Sequence, residues 1–507
     1  MPARITLGAM RDRTLMGKFA ILSSAAVMCG VIAALFADIA GANPVRVAAL
    51  PVAAGLTILL LADKRSLVYL VILLRSAGDP IFSLGKFELG TASIGLGGAL
   101  NGLMILIAAL FLGQRPESVP RRALWMWAGF LVVVLAAAIR SPVPGESIRL
   151  FLVQLSYCAV FVIAFYMVQS RSDLEKCIRI LLLSSLVPIL YASVQVAPEL
   201  LTGSVAGMRI KGTFSHANVF AFYLVLIVAI AMYALKGDAV RLSTATRYVL
   251  WAYVPVLLAF LMLTGTRSAW IACLLLFLMY GLFIQLRYVI YVAGALLVAL
   301  FIPGVMERLV DLARGNEFVQ GGSLNSFAWR LSLWESALPW IKAKWLLGHG
   351  LDSFLVYSPE FFRLDFFKRA SFGVGAHNTY LRLLFETGLV GLLAYLILFG
   401  VLLSMLRSVV RSDRVGSTIT MVVVAAYLVI SASDNMEYYL AFNWYFWFFL
   451  GVVCASPSVM PAPKAQIEMG ETDAGRKPQP GPVRLSGRLA HGIPRRSATP
   501  TLRGQGS

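Results

Sequence analysis

The chain has 507 residues, of which 59% are hydrophobic and only 14% charged. Soluble domains carry roughly 25% charged residues, so this composition excludes one and points to an integral membrane protein with many spans. The formal net charge of +19 would suit nucleic acid, but basic residues of a membrane protein collect in cytoplasmic loops and beside anionic headgroups, so no nucleic-acid partner is expected.

Apolar runs of spanning length begin at about 18–40. Arg4, Arg11, Arg13 and Lys18 precede that run. It is too long for a signal core and lacks a small-residue cleavage site, so it reads as the first span with the N-terminus in the cytoplasm. Further spans are expected at 46–62, 66–82 (a short run), 93–113, 123–139, 150–169, 180–197, 217–235, 248–265, 268–286, 288–304, 378–406, 416–433 and 441–455. Alternating from the first, the inside segments hold Lys64 and Arg65, Arg115, Arg121 and Arg122, Arg171, Lys176 and Arg179, Lys236, Arg241 and Arg247, Arg287, then Arg407, Arg411 and Arg414. The outside segments are short and sparsely basic, and one carries the acidic Ser433-Asp-Asn-Met-Glu-Tyr439. The expectation is an all-α integral membrane protein over 1–455, a polytopic bundle of about 12–14 transmembrane helices with both termini inside.

Two regions break the pattern. A long outer loop at 305–376 contains Trp329, Trp334, Trp340 and Trp345, and periodicity there puts Trp334, Ala337, Leu338, Ile341 and Trp345 on one face of a helix. That reads as an amphipathic helix lying along the interface. The tail at 456–507 is rich in Pro, Gly, Ser and Arg. It reads as a disordered cytoplasmic segment drawn to anionic lipid. The five cysteines (Cys29, Cys158, Cys177, Cys273 and Cys454) have neither disulfide nor metal-ligand spacing.

Four polar stretches fall on the outer side, at span ends or in adjoining loops. They are Met208-Arg209-Ile-Lys211-Gly-Thr-Phe-Ser-His216-Ala-Asn218, Thr264-Gly-Thr-Arg267-Ser-Ala-Trp270, Arg330 on the amphipathic helix, and His377-Asn378. The positive-inside bias disfavours basic clusters in short outer loops, so these have a local reason to be there. Arg267 sits in a turn of very few residues. It either caps helix carbonyls or snorkels, or it grips a phosphate bidentately. Arg330 faces a similar choice, because a Trp-rich helix can be a plain interfacial anchor. Arg209 and Lys211 suit an ordinary solvated loop equally well. His377 opens an apolar helix, where the dipole and nearby arginines favour a neutral imidazole, the form a general base needs. A structural histidine is the competing reading. His216 is the rival base, His349 between glycines is weaker, and His491 in the tail is set aside. Arg382 and Glu386, four apart, read as a mutual ion pair. The aromatic run Tyr438 to Phe449 reads as an interfacial belt, with a lipid groove or sugar stacking as alternatives. No P-loop, GxGxxG, HExxH or serine elbow is present.

These stretches resemble the O-antigen ligase and polysaccharide polymerase superfamily of bacterial inner membranes. The resemblance is carried by Gly212-Thr-Phe-Ser-His216-Ala-Asn218, Thr266-Arg267-Ser-Ala-Trp270, Arg330 with Trp334, Leu347-Gly-His-Gly-Leu-Asp352, and Ala376-His-Asn-Thr-Tyr-Leu381 followed by Glu386-Thr-Gly388. It covers about 200–400 and implies an inverting, metal-independent glycosyltransferase without cofactor. Its donor would be a glycan on undecaprenyl diphosphate, and its acceptor lipid A–core or a second lipid-linked glycan; relatives glycosylate protein serine or threonine. Arg267 and Arg330 match positions that hold the donor diphosphate, and His377 matches the base. Arg209 is a supporting phosphate contact, with Lys211, His216 and Asn378 as further substrate-binding candidates. Two other readings stand beside this one: a non-catalytic transporter or flippase for a lipid-linked or anionic substrate, and a scaffold for polysaccharide export. Against a transporter stand the single-face clustering of these residues and the lack of an evident internal repeat.

Overall fold

A chain that buries its backbone in lipid must satisfy every peptide group internally, and the apolar runs do so as helices. The computed structural model describes residues 54–79, 86–89, 92–202, 209–299, 328–362 and 373–460, with residues 27, 28, 30 and 301. All of the expected first span but residues 27, 28 and 30, and with it Cys29, the first half of the 46–62 run, parts of the 305–376 loop and nearly all of the 456–507 tail lie outside the described residues.

The helices are α1 (Lys64–Leu74), α2 (Leu96–Gln114), α3 (Arg121–Ile139), α4 (Pro144–Met167), α5 (Arg171–Leu183), α6 (Leu186–Thr202), α7 (Ala217–Lys236) and α8 (Thr244–Leu263). They continue with α9 (Arg267–Phe283), α10 (Arg287–Ala299), α11 (Ala328–Ala343), α12 (Ser353–Phe361), α13 (Thr379–Val409), α14 (Arg414–Ile430) and α15 (Leu440–Ala455). Among the described residues eight helices are long and apolar enough to cross a membrane, one of them running through α5 and α6, and three shorter apolar helices accompany them. The protein is an all-α polytopic membrane protein. One small departure is an antiparallel hairpin, β1 (Lys86–Leu89) against β2 (Ala92–Gly95), with Phe87 opposite Ile94.

Contacts sort the helix ends into two groups. At one end Arg65 donates to the Tyr166 carbonyl (2.8 Å), the Tyr166 hydroxyl donates to the Arg115 carbonyl (2.7 Å), and Arg171 donates to the Asp238 carbonyl (2.6 Å). At the other, Arg140 donates to the Leu347 carbonyl (2.8 Å), Arg330 to the Ser433 carbonyl (2.8 Å), and Asn218 to Asp434 (3.1 Å). Helix α7 is the central post: every residue from Val219 to Leu235 is buried, as a helix apolar on all sides requires.

The structure departs from the sequence reading in four places. The 66–82 run yields only the 11-residue α1, about 16 Å long at 1.5 Å per residue. It stops where Ser76 donates to the Ser184 carbonyl (2.7 Å), at the break between α5 and α6. The aromatic run is no interfacial belt: Trp444, Tyr445, Phe446, Phe448 and Phe449 are fully buried. Their polar atoms are satisfied inside the bundle, Trp444 by Ser156 (2.9 Å) and Tyr445 by the Ile72 carbonyl (2.6 Å), which removes the reason to reach for water. Helix α11 turns Leu333, Ala337 and Ile341 onto protein and leaves Leu338 exposed, and Trp345, expected on the same face, lies exposed beyond the helix end. Its apolar face therefore serves a local core with Phe354 and Phe385.

The fourth departure shapes the site. Helix α13 is broken at Gly388, whose φ of 67° and ψ of −167° are not helical. The rings of Tyr380 and Tyr395 lie 6.3 Å apart, whereas a straight helix would separate these positions by about 22 Å. The kink strips four backbone groups of their helical partners, and the Leu347-Gly-His-Gly stretch with its neighbours supplies replacements. His349 and Gly350 donate to the Phe385 and Glu386 carbonyls, both at 2.9 Å, while Leu389 and Val390 donate to the Trp345 and Leu346 carbonyls at 2.8 and 3.3 Å. Backbone runs against backbone here, so a Cβ on Gly348 would collide with Glu386 and one on Gly388 with Leu346. These motif glycines are a splint. Residues 389–409 beyond the break form a straight run of about 31 Å, which matches a hydrocarbon core.

Candidate active site

The short leg of α13 brings His377 to the bundle end. His377 has φ +49°, a left-handed conformation rare outside glycine and one held only where the surroundings enforce it. Two anchors enforce it here. The Asn378 amide donates to Asn435 Oδ1 (3.2 Å), and Asn378 Oδ1 caps α13 by accepting from the Leu381 amide (3.1 Å). The imidazole stands edge-on to Trp329, centroids 5.4 Å apart. Its Nδ1 is buried and meets no hydrogen-bond partner, an uncommon state for a buried ring nitrogen.

Arg330 lies in the first turn of α11 beside it. Nη1 donates to the Ser433 carbonyl (2.8 Å), and the guanidinium carbon sits 5.8 Å from the Trp329 ring centre. Nε is buried without a partner. Trp334 donates from Nε1 to the Ala376 carbonyl (2.7 Å), tying α11 to the residue before His377.

The third wall is the tight turn between α8 and α9. Gly265, at φ +62°, lets three residues reverse the chain, and Arg267 becomes the first residue of α9. Thr266 and Arg209 both donate to Asn218 Oδ1, at 3.2 and 3.1 Å, and Arg209 Nε reaches the Thr264 carbonyl (3.4 Å). His216 caps α7, its Nδ1 accepting from the Asn218 amide (3.1 Å). Lys211 is exposed and is held by its backbone, the amide donating to Gln195 (3.4 Å) and the carbonyl accepting from Phe214 (3.1 Å). No described contact joins its side chain to the cluster.

Asp434 holds these walls together, and the sequence reading passed over it. It is buried and accepts from Asn218 Nδ2 (3.1 Å) and the Tyr439 hydroxyl (2.6 Å), while its carbonyl accepts from Thr379 Oγ1 (3.2 Å). The carboxylate therefore links α7 to the start of α15, and the backbone carbonyl of the same residue adds α13. The one available signal was an acidic residue in a short outer loop facing several arginines.

The charges act on one another. Burial, then Arg330, then His216 push His377 below the ordinary histidine range, while Asp434 pulls it back up. Burial and Arg267 likewise lower Arg330, and Asp434 and Tyr439 oppose them. Burial and Arg209 lower His216. A cluster of this kind presents cations to an anion and keeps imidazole neutral beside them.

A second polar knot lies one turn farther along α13. Arg382 is closely paired with Glu437 and stands 3.7 Å from Glu386; its guanidinium carbon lies 4.0 Å from the Tyr438 ring centre, and Tyr438 donates to Asp352 (3.1 Å). The expected pair of Arg382 and Glu386 is present, and Glu437 joins it as the nearer partner. His349 is structural: Nε2 bonds to the Trp340 carbonyl (2.9 Å) and its ring stacks on Phe385 at 4.7 Å.

Fold and site together define a polytopic helical membrane protein with an arginine, histidine and carboxylate cluster at one end of the bundle. The family model described as O-antigen ligase matches residues 252–396, which include Arg267, Arg330, His377 and the kink at Gly388. This match supports the O-antigen ligase and polymerase superfamily, and with it glycosyltransferase-type activity in general. Arg209, Lys211, His216 and Asp434 lie outside the matched stretch. No curated protein matches the chain.

Proposed function

We propose that the cluster transfers a glycan from an undecaprenyl diphosphate-linked donor to an acceptor hydroxyl, with inversion and without a metal, at the periplasmic face of a bacterial inner membrane. The observation that carries this reading is the convergence of Arg330 and His377 on the buried Asp434, with Arg267 beside Arg330 on the turn that Thr266 ties through Asn218 to the same carboxylate. The orientation rests on the basic residues at the opposite end, among them Arg65, Arg115 and Arg171, which mark a cytoplasmic side.

In this reading Arg267 and Arg330 bind the donor diphosphate. The acceptor oxygen attacks the anomeric carbon from the face opposite the phosphate as the anomeric C–O bond breaks. The acceptor proton goes to neutral His377, and the leaving diphosphate keeps the electron pair, stabilised by the two guanidiniums. Arg209, linked through Asn218, supports the phosphate side. His216 Nδ1 is engaged as a helix cap and Asn378 Oδ1 likewise, so both serve the site's shape, and His377 is preferred over His216 as base. Lys211 has a secondary part as a solvent-side contact. The acceptor class, either lipid A–core or a second lipid-linked repeat, is read from a deletion strain. Single short repeats on the surface identify a lost polymerase, and full-length chains retained on carrier lipid identify a lost ligase. Normal surface glycan overturns the proposal.

A further inference from the structure

A second feature lies at the far end of α11 from Arg330, about 21 Å away along the helix at 1.5 Å per residue. Here Arg140, at the end of α3, and residues 343–349 line a pocket of about 450 Å³, within the range of small-molecule sites. It contains two cations. Arg140 donates from Nε to the Ala136 carbonyl (3.3 Å) and from Nη2 to the Leu347 carbonyl (2.8 Å), which fixes the guanidinium without neutralising it. Lys344 is exposed on the same pocket. Neither cation has a carboxylate partner among the described residues.

The surroundings are apolar and open. Trp345, Leu346 and Leu347 are exposed at the rim, and Val132 and Ile139, 65% and 68% exposed, run down the outward stripe of α3 toward Arg140. Leu393 and Ile397 are exposed on α13 below the kink, and α3 packs on α13. A lipid-facing surface thus ends in a doubly cationic pocket at the depth where the straight part of α13 begins.

We propose that this pocket holds the phosphate of an anionic bilayer phospholipid, with its acyl chains along the Val132–Ile139 stripe. Charge complementarity selects an anion, and the apolar stripe selects a lipid over free phosphate. The bound headgroup would bridge α3 to the 345–350 splint and so brace the α13 kink that carries His377. The site is separate from the donor cluster and does not depend on the glycan-transfer reading.

The test uses full-length protein and a photoactivatable phosphatidylglycerol, with adducts mapped by mass spectrometry. Saturable adducts on residues 132–140 and 343–349 are expected. Arg140→Gln with Lys344→Gln should raise the half-saturating lipid concentration roughly 30-fold, the product of two juxtamembrane cations. Because Arg140 also holds Leu347, Lys344→Glu is the second variant. It should lose adduct at these peptides while its melting temperature stays unchanged. Adducts of wild-type strength in both variants overturn the proposal. So does equal labelling by the phosphatidylcholine analogue, or loss of labelling on addition of inorganic phosphate alone at the lipid's concentration.

Discussion

Asn218 donates from Nδ2 to Oδ2 of Asp434 at 3.1 Å, although 216 positions separate them. Through this bond the α8–α9 turn bearing Arg267 and the loop facing Arg330 and His377 become one surface. Asp434→Ala should therefore disassemble the walls rather than remove a reacting group. Losing hydrogen bonds to a charged group costs about 1.5–3 kcal/mol each, so glycan transfer should fall at least about tenfold. Asp434→Asn keeps a hydrogen-bonding shape and should recover part of that loss. Initial transfer rates of the two variants check this.

Arg267→Ala and Arg330→Ala should each lower transfer by about a hundredfold or more, the usual cost of losing a donor to developing charge. Lysine should rescue poorly at either position, because an ammonium cannot offer the planar fork. Both variants should insert at wild-type levels.

The pH dependence has a defined sign. Burial and Arg330 lower His377, and a general base works when neutral. Activity should be full above the lowered value and decline as pH falls through it, placing the acid limb below the ordinary histidine value of about 6.5. Asp434 raises His377, so Asp434→Asn should move that limb further down in the residual activity. A pH–rate profile of each protein measures both shifts.

Stability should depend on the splint. Gly388→Ala forces a side chain into φ +67°, ψ −167° and against the Leu346 backbone, a combination that should cost at least about 3 kcal/mol. Arg382→Leu leaves Glu437 and Glu386 buried without their cation, for which about 3–5 kcal/mol is the usual cost. Denaturant midpoints of protein purified in a mild detergent compare both with the wild type.

Spans were legible because an apolar run of bilayer length has few ways to fold in lipid, and α2 through α4 begin and end close to the expected positions. That Arg267, Arg330 and His377 share one end of the bundle was legible because the alternation of spans assigns them one side. Asp434 was not, since its meaning lies in partners on three other segments that no local pattern reveals. The buried face of α11 was misjudged for a related reason. Periodicity finds an apolar stripe but cannot say whether lipid or protein covers it, and Phe354 and Phe385 cover this one. The i+4 pair of Arg382 with Glu386 was legible from helix spacing, but Glu437 was not, because it approaches from the loop before α15.

The most direct measurement combines purified wild-type and His377→Ala protein with a diphosphate-lipid glycan and candidate acceptors in metal-free buffer. Catalysis at this cluster predicts elongated acceptor and released lipid diphosphate with the wild type, and neither with a correctly folded His377→Ala. Wild-type rates from that variant, or movement of the intact donor across liposomes without any transfer, would contradict it.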